Sequence, residues 1–267
     1  MIPKKIHYLW LSEEKPQNII DGLQTWKEHL KDYEIIEWNK TNFPYNDFIW
    51  TREALSVQKW AFVTDFFRLW VLKNYGGIYL DADIVVRNNF DAFLHHKMFI
   101  STEFTEQLGP HAIGAEKGHP FISKCLEYYN DRHFIVDGKN DELTIPRIMT
   151  KLFMQEYNYK GKIASFDGTP LEFDNLTIYN DTFFTINIYD GNNICYHNYM
   201  GSWTDKKHSV NKSIVDYCSR RFFARDMYIK DGIAKYIIPF MPCFLVKWYY
   251  NRRMTLKNIK RITSIKI

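Results

Sequence analysis

What the sequence lacks narrows the field first. Its four cysteines, Cys125, Cys195, Cys218 and Cys243, are widely spaced and form no CxxC. A zinc site is therefore not expected, and free thiols in a reducing compartment are. The first residues, MIPKKIHYLW, hold no apolar core of a signal peptide. The best apolar run, Tyr236 to Val246, has eleven residues and two prolines, whereas a spanning helix needs about twenty. There is no internal repeat and no low-complexity linker. No nucleic-acid recognition motif accompanies the basic charge, so nucleic acid is not an expected partner.

What is present is an ordinary globular composition. The 267 residues are 46% hydrophobic and 25% charged, enough for one large domain or a domain with an appendage. Aromatic content is high at 17%. Such rings fill cores, and they also stack on sugars and bases. Charge is uneven. Arg220 to Ile267 hold twelve Lys/Arg and two Asp, leaving the other 219 residues at −6 against a whole-chain +4. The boundary is placed at 212/213: residues 1–212 as a catalytic unit, residues 213–267 as a basic, aromatic, helical extension. Rings and cations together suit a segment lying on an anionic membrane surface. The expected location is cytoplasmic, on the inner face of the plasma membrane.

Periodicity predicts an α/β layer order. Ile6, Tyr8 and Trp10 alternate as in a strand. Ile19, Leu23, Trp26 and Leu30 share a helix face over 18–30. YEIIEWN reads as a second strand. Residues 52–75 read as one helix stopped by Gly76-Gly77. IYLDADIVV reads as a strand interrupted by carboxylates. Further short strands are expected at 98–102, 111–115, 161–165, 176–179 and 184–187, and helices at 119–131 and 142–157.

The chemistry concentrates in residues 61–83. Asp81 and Asp83, two apart on a strand, point to one face. Like charges there repel unless a cation joins them, and a hard divalent ion suits carboxylate oxygens. Asp65 and Arg68, three apart, share a helix face, and Arg donates bidentately to diphosphate or carboxylate. Gly76-Gly77 permits close backbone approach just before the acidic strand. His197, in a loop-like stretch before Gly201, Ser202 and Trp203, offers a third metal ligand. Trp203 can stack on a donor or close over it. His95, His96, His111, His119 and His133 read as surface or core histidines.

IPKKIHYLW together with FVTDFFRLWVLKNYGGIYLDADIVV resembles the DXD-containing glycosyltransferases of family 32. The likeness is looser over HAIGAEKGHPF and ICYHNYMGSW. It implies a GT-A type fold, a Rossmann-like mixed sheet flanked by helices. It implies that Asp81 and Asp83, with His197, bind Mn²⁺ or Mg²⁺ and the sugar nucleotide. It implies that Asp65 and Arg68 contact the donor sugar, that Trp10 lies against the nucleobase, and that Ser202 and Trp203 close over the diphosphate. Asp65, Arg68 and Asp83 are the candidate catalytic residues. Where relatives carry Thr-Gly-Pro on the acceptor side, this chain has Thr144-Ile145-Pro146.

The expected reaction is retaining transfer of a hexose from a UDP- or GDP-linked donor. The expected acceptor is a glycan or lipid-linked oligosaccharide of bacterial capsule or lipopolysaccharide synthesis. Asp141 and Glu142 are weak candidates for a nucleophile. Two other classes stay open: a metal-dependent nucleotidyltransferase or phosphohydrolase, and a non-catalytic membrane-associated carbohydrate-binding protein.

Overall fold

A computed structural model describes residues 1–103, 107–161, 163, 169–185 and 193–198. β1 (Lys5–Leu9) lies parallel to β2 (Glu34–Trp38), with α1 (Gln17–His29) joining them. The α1 face of Ile19, Gly22 and Trp26 is buried, and the Trp26 indole donates to the Ile84 carbonyl at 2.9 Å. That bond seats α1 against the strand that follows the acidic pair.

Residues 52–75 are two helices rather than one: α2 (Ile49–Ser56) and α3 (Trp60–Tyr75). No glycine or proline marks the joint. Gln58 takes φ +57°, and the Lys59 N–H bonds back to Ala54 O at 2.9 Å. Packing fixes the break, because buried Trp50 donates its indole N–H across it to Phe62 O at 3.0 Å. α3 then runs between the sheet, α2 and a later helix. It is covered on several sides, so its apolar residues recur at mixed spacings instead of forming one stripe. Phe67, Leu69, Val71 and Leu72 are fully buried, and such side chains contribute roughly 2 kcal/mol each.

Gly76 and Gly77 end α3 with φ of +65° and +104°. β3 (Gly77–Leu80) follows, then a tight turn, then β4 (Ile84–Val86). Next come β5 (Met98–Glu103), β6 (Gln107–Ala115) and α4 (Pro120–Glu127). A small hairpin, β7 (Ile135–Val136) and β8 (Lys139–Asn140), leads to α5 (Ile145–Glu156). The remaining elements are β9 (Leu171–Glu172), β10 (Thr177–Tyr179), the short α6 (Asp181–Phe184) and β11 (Cys195–His197). Residues 184 and 185, expected in a strand, close α6 instead. Asn180 caps that helix, its side chain accepting from the Thr182 N–H. Most of the strand expected at 161–165 lies outside the described residues.

Seven strands form one mixed sheet in the order β2-β1-β3-β6-β5-β10-β9. β1 is parallel to β2 and β3, while β6 runs antiparallel between β3 and β5. The core lies on both faces: one cluster joins the sheet to α2, α3, α4 and α5, the other to α1 and α6. This is the mixed sheet flanked by helices that the resemblance implies. β11 pairs antiparallel with β4 in a separate two-stranded sheet. Cys125 and Cys195 are buried thiols. Among the described residues no helix is long and apolar enough to cross a membrane. The extension at 213–267 lies outside them.

Candidate active site

Asp81 and Asp83 sit on the turn between β3 and β4, not along one strand. Ile84 N–H bonds to Asp81 O at 3.0 Å across that turn. Strand alternation therefore does not bring the carboxylates together; the reversal does. His197, at the end of β11, pairs opposite Ile84. Its Nε2 lies 2.9 Å from Asp83 Oδ1 and 3.7 Å from Asp81 Oδ2. One ligand atom from each of Asp81, Asp83 and His197 lies within 4.8 Å of the others.

Two carboxylates and an imidazole, partly open to solvent, make a donor set that could hold a divalent cation. Burial opposes a charge on His197, but Asp83, with Asp81 and Glu103, more than offsets it and raises the pKa to about 9. His197 must release that proton to act as a ligand.

Asp81 is oriented from its other side. Tyr79 donates its hydroxyl to Asp81 Oδ1, and Arg68 Nη2 lies 3.4 Å from the same oxygen. Burial pushes the Tyr79 pKa well up, so the hydroxyl stays protonated. Oδ1 is thus engaged while Oδ2 faces His197, a support typical of metal ligands. Sequence reasoning alone does not single out Tyr79. Its one signal is position: it precedes Asp81 by two on β3.

Asp65 and Arg68 project from one face of α3, at 8% and 6% exposure. Their Oδ1–Nη2 distance is 3.0 Å. Arg68 also donates through Nη1 to Pro110 O at 2.9 Å, and its guanidinium lies 4.9 Å from the Tyr79 ring centre. Burial opposes the Arg68 charge, but Asp81, then Tyr79 and Asp65, more than offset it. Burial raises Asp65 to about 6 despite Arg68 beside it. The backbone of Ile145 beside it opposes that rise. Thr144-Ile145-Pro146 forms the start of α5, with Pro146 in its first turn.

His111, a surface or core histidine by sequence, is buried and lies under His197. Its ring is parallel to His197, 4° off plane with centres 5.0 Å apart. His111 Nε2 is 2.9 Å from Thr185 Oγ1. Only the β3–β6 pairing makes it a neighbour, through Asp81 N–H to His111 O at 2.9 Å.

The other expectations fall as follows. Trp10 directly follows β1, whose C-terminal end lies beside that of the parallel β3. Its indole donates to Glu14 O at 3.2 Å and Lys15 lies over its ring. Ser202 and Trp203 lie outside the described residues. Asp141 is bound by Arg132 at 2.9 Å and Glu142 by Lys59 at 2.9 Å, so both carboxylates hold structural partners. Gly76 and Gly77 approach protein backbone: a Cβ would fall 2.6 Å from Lys117 N and 2.7 Å from Lys5 O, respectively. A cavity of about 480 Å³, lined by residues 40–47, Trp70 and Tyr75, contains none of the site residues.

Residues 16–100 match the glycosyltransferase sugar-binding region containing the DXD motif. The chain is 28% identical over 129 residues to inositol phosphoceramide mannosyltransferase 3 of Schizosaccharomyces pombe, covering 47% of this chain and 36% of that protein. It is 26% identical over 142 residues to mannosyl phosphorylinositol ceramide synthase SUR1 of Saccharomyces cerevisiae, covering 51% and 37%. The chain thus spans little more than a third of either relative. Among solved structures, the PaToxG glycosyltransferase aligns with a TM-score of 0.46 at 20% identity, over 59% of this chain and 70% of that one. Residues 16–100, which carry Asp65, Arg68, Asp81 and Asp83, are thus similar to the sugar-binding region of DXD-containing glycosyltransferases.

Proposed function

We propose that the chain transfers a hexose, with retention, from a UDP- or GDP-linked donor to a hydroxyl of a lipid-linked acceptor. The observation that carries this is the convergence of Asp81, Asp83 and His197 beside the buried Asp65–Arg68 pair. Those three side chains would hold a divalent ion, which would neutralise charge on the departing diphosphate. Asp65 accepts from, and Arg68 donates to, hydroxyls of the donor sugar, fixing its anomeric carbon toward the acceptor.

Asp141 and Glu142 are engaged elsewhere, which favours a front-face displacement. The acceptor oxygen bonds to the anomeric carbon as the carbon–phosphate oxygen bond breaks, and the leaving phosphate takes the acceptor proton. The names of the relatives favour a lipid-linked acceptor and lend no support to capsule or lipopolysaccharide.

Asp81→Asn or Asp83→Asn should remove metal-dependent release of nucleoside diphosphate by at least about a hundredfold, with the thermal midpoint retained. Undiminished wild-type turnover in EDTA would refute the metal reading. Release of pyrophosphate or phosphate instead would favour the nucleotidyltransferase or phosphohydrolase class. A thermal-shift panel of UDP- and GDP-sugars, with and without Mn²⁺, identifies the donor.

A further inference from the structure

The cavity lined by residues 40–47, Trp70 and Tyr75 takes no part in the site described above. Its loop follows β2, the edge strand of the seven-stranded sheet. β1, β2 and β3 are parallel, so that loop leaves the sheet at the end where Asp81 follows β3. The volume of about 480 Å³ lies within the roughly 300–1,000 Å³ of small-molecule sites.

The aromatic part of the lining is fixed by the core. Phe43 is 2% exposed, its ring 5.1 Å from that of Trp70. Tyr75 lies 5.8 Å from Trp70 and is 45% exposed. Buried Trp38 packs on both, 5.4 Å from Trp70 and 5.2 Å from Tyr75.

The polar part divides in two. Asn42 is spent on the loop itself: its Oδ1 accepts from the Asn39 N–H at 2.7 Å, and its Nδ2 donates to Glu37 O at 3.0 Å. A short turn, Tyr45–Asp47, is tied down where Arg52 donates to Asn46 O at 3.1 Å. Lys40, Asn46 and Asp47 line the cavity and are exposed. Among the described residues their side chains make no hydrogen bond or ion pair. The backbone is thus held while an ammonium, an amide and a carboxylate stay uncommitted.

One ligand chemistry suits that combination. A saccharide or cyclic polyol presents C–H faces to rings, and hydroxyls that donate to Asp47 and accept from Lys40 or Asn46. A phosphate would meet Lys40 and Asp47 together, and their charges oppose. A wholly apolar ligand would bury polar groups without partners.

We propose that this cavity is a saccharide-binding site, separate from the donor site, that seats the ring of a neutral hexose or cyclic polyol. Its occupancy needs neither metal nor nucleotide, so it stands independently of the glycosyl-transfer reading. Where that reading holds, the cavity gives the acceptor a second hold at the same end of the sheet.

Saturation-transfer NMR on the full chain in EDTA decides the matter, with methyl α-mannoside, methyl α-glucoside, myo-inositol and inorganic phosphate as probes. At least one of the three ring polyols should bind with a Kd on the order of 1 mM, and phosphate should not displace it. Asn46→Ala/Asp47→Ala removes two exposed side chains, so its thermal midpoint should match wild type. It should bind that polyol at least about tenfold more weakly. Lys40→Ala, equally exposed, should weaken binding in the same direction. Asp81→Asn should bind the polyol as wild type does. Failure of the full chain to bind any of the three polyols overturns the proposal. So does displacement by phosphate, which marks an anion site. Undiminished binding by the double variant and by Lys40→Ala places the ligand elsewhere, and loss in Asp81→Asn places it at the donor site; either result overturns it.

Discussion

His7 shows how a single side chain becomes a condition for the fold. It is fully buried, with Nε2 2.9 Å from Gly76 O and Nδ1 3.2 Å from the Trp38 indole nitrogen. A carbonyl can only accept and an indole N–H can only donate, so the ring carries its proton on Nε2 and is neutral. Burial lowers its pKa from 6.5 to about 4. A depressed folded-state pKa contributes stability that is full above pH 6.5 and is lost as pH falls through about 4. The difference is about 3 kcal/mol. His7→Gln should flatten urea-derived stability over that pH window relative to wild type. A wild-type profile as flat as the variant's would refute the assignment. The sequence marks His7 only as the residue between Ile6 and Tyr8; its partners come from β2 and from the end of α3.

The joint of α3 and β3 is the element on which the site depends, because Asp65 and Arg68 lie on one side of it and Asp81 on the other. The glycine pair is legible as a helix stop, since nothing else so readily adopts positive φ. What the pair touches is not legible. Lys5 lies on β1 and Lys117 lies beyond β6. Only the sheet order brings their backbones to within 3 Å of where a Cβ on Gly77 or Gly76 would stand. Gly77→Ala should destabilise the chain by about 2–4 kcal/mol, read from the urea midpoint, and weaken Mn²⁺ affinity with it. A neutral effect would show that this contact is not closely packed. The break between α2 and α3 is invisible in the sequence for a related reason. Apolar spacing runs through Gln58, and the Trp50–Phe62 bond that holds the joint is tertiary.

At the scale of the whole molecule, charge asymmetry carries a further expectation. The twelve Lys/Arg between Arg220 and Ile267 are interspersed with aromatics, a composition suited to an anionic interface. Deleting residues 213–267 should weaken sedimentation with anionic vesicles, and salt should weaken the wild-type interaction likewise. Vesicle binding that survives the deletion would reject a membrane role for the extension.

The sequence by itself determined the local half of the site. Spacing of three on a helix put Asp65 beside Arg68, a pair of glycines ended that helix, and two aspartates separated by a single alanine came next. These relations span one element or one turn, so backbone geometry fixes them. Tertiary structure decided the rest. β11 adding to β4 delivered His197, and β6 beside β3 slid His111 beneath it. Such contacts join residues far apart along the chain. Sheet order and helix packing select them, and no periodicity within one segment encodes either.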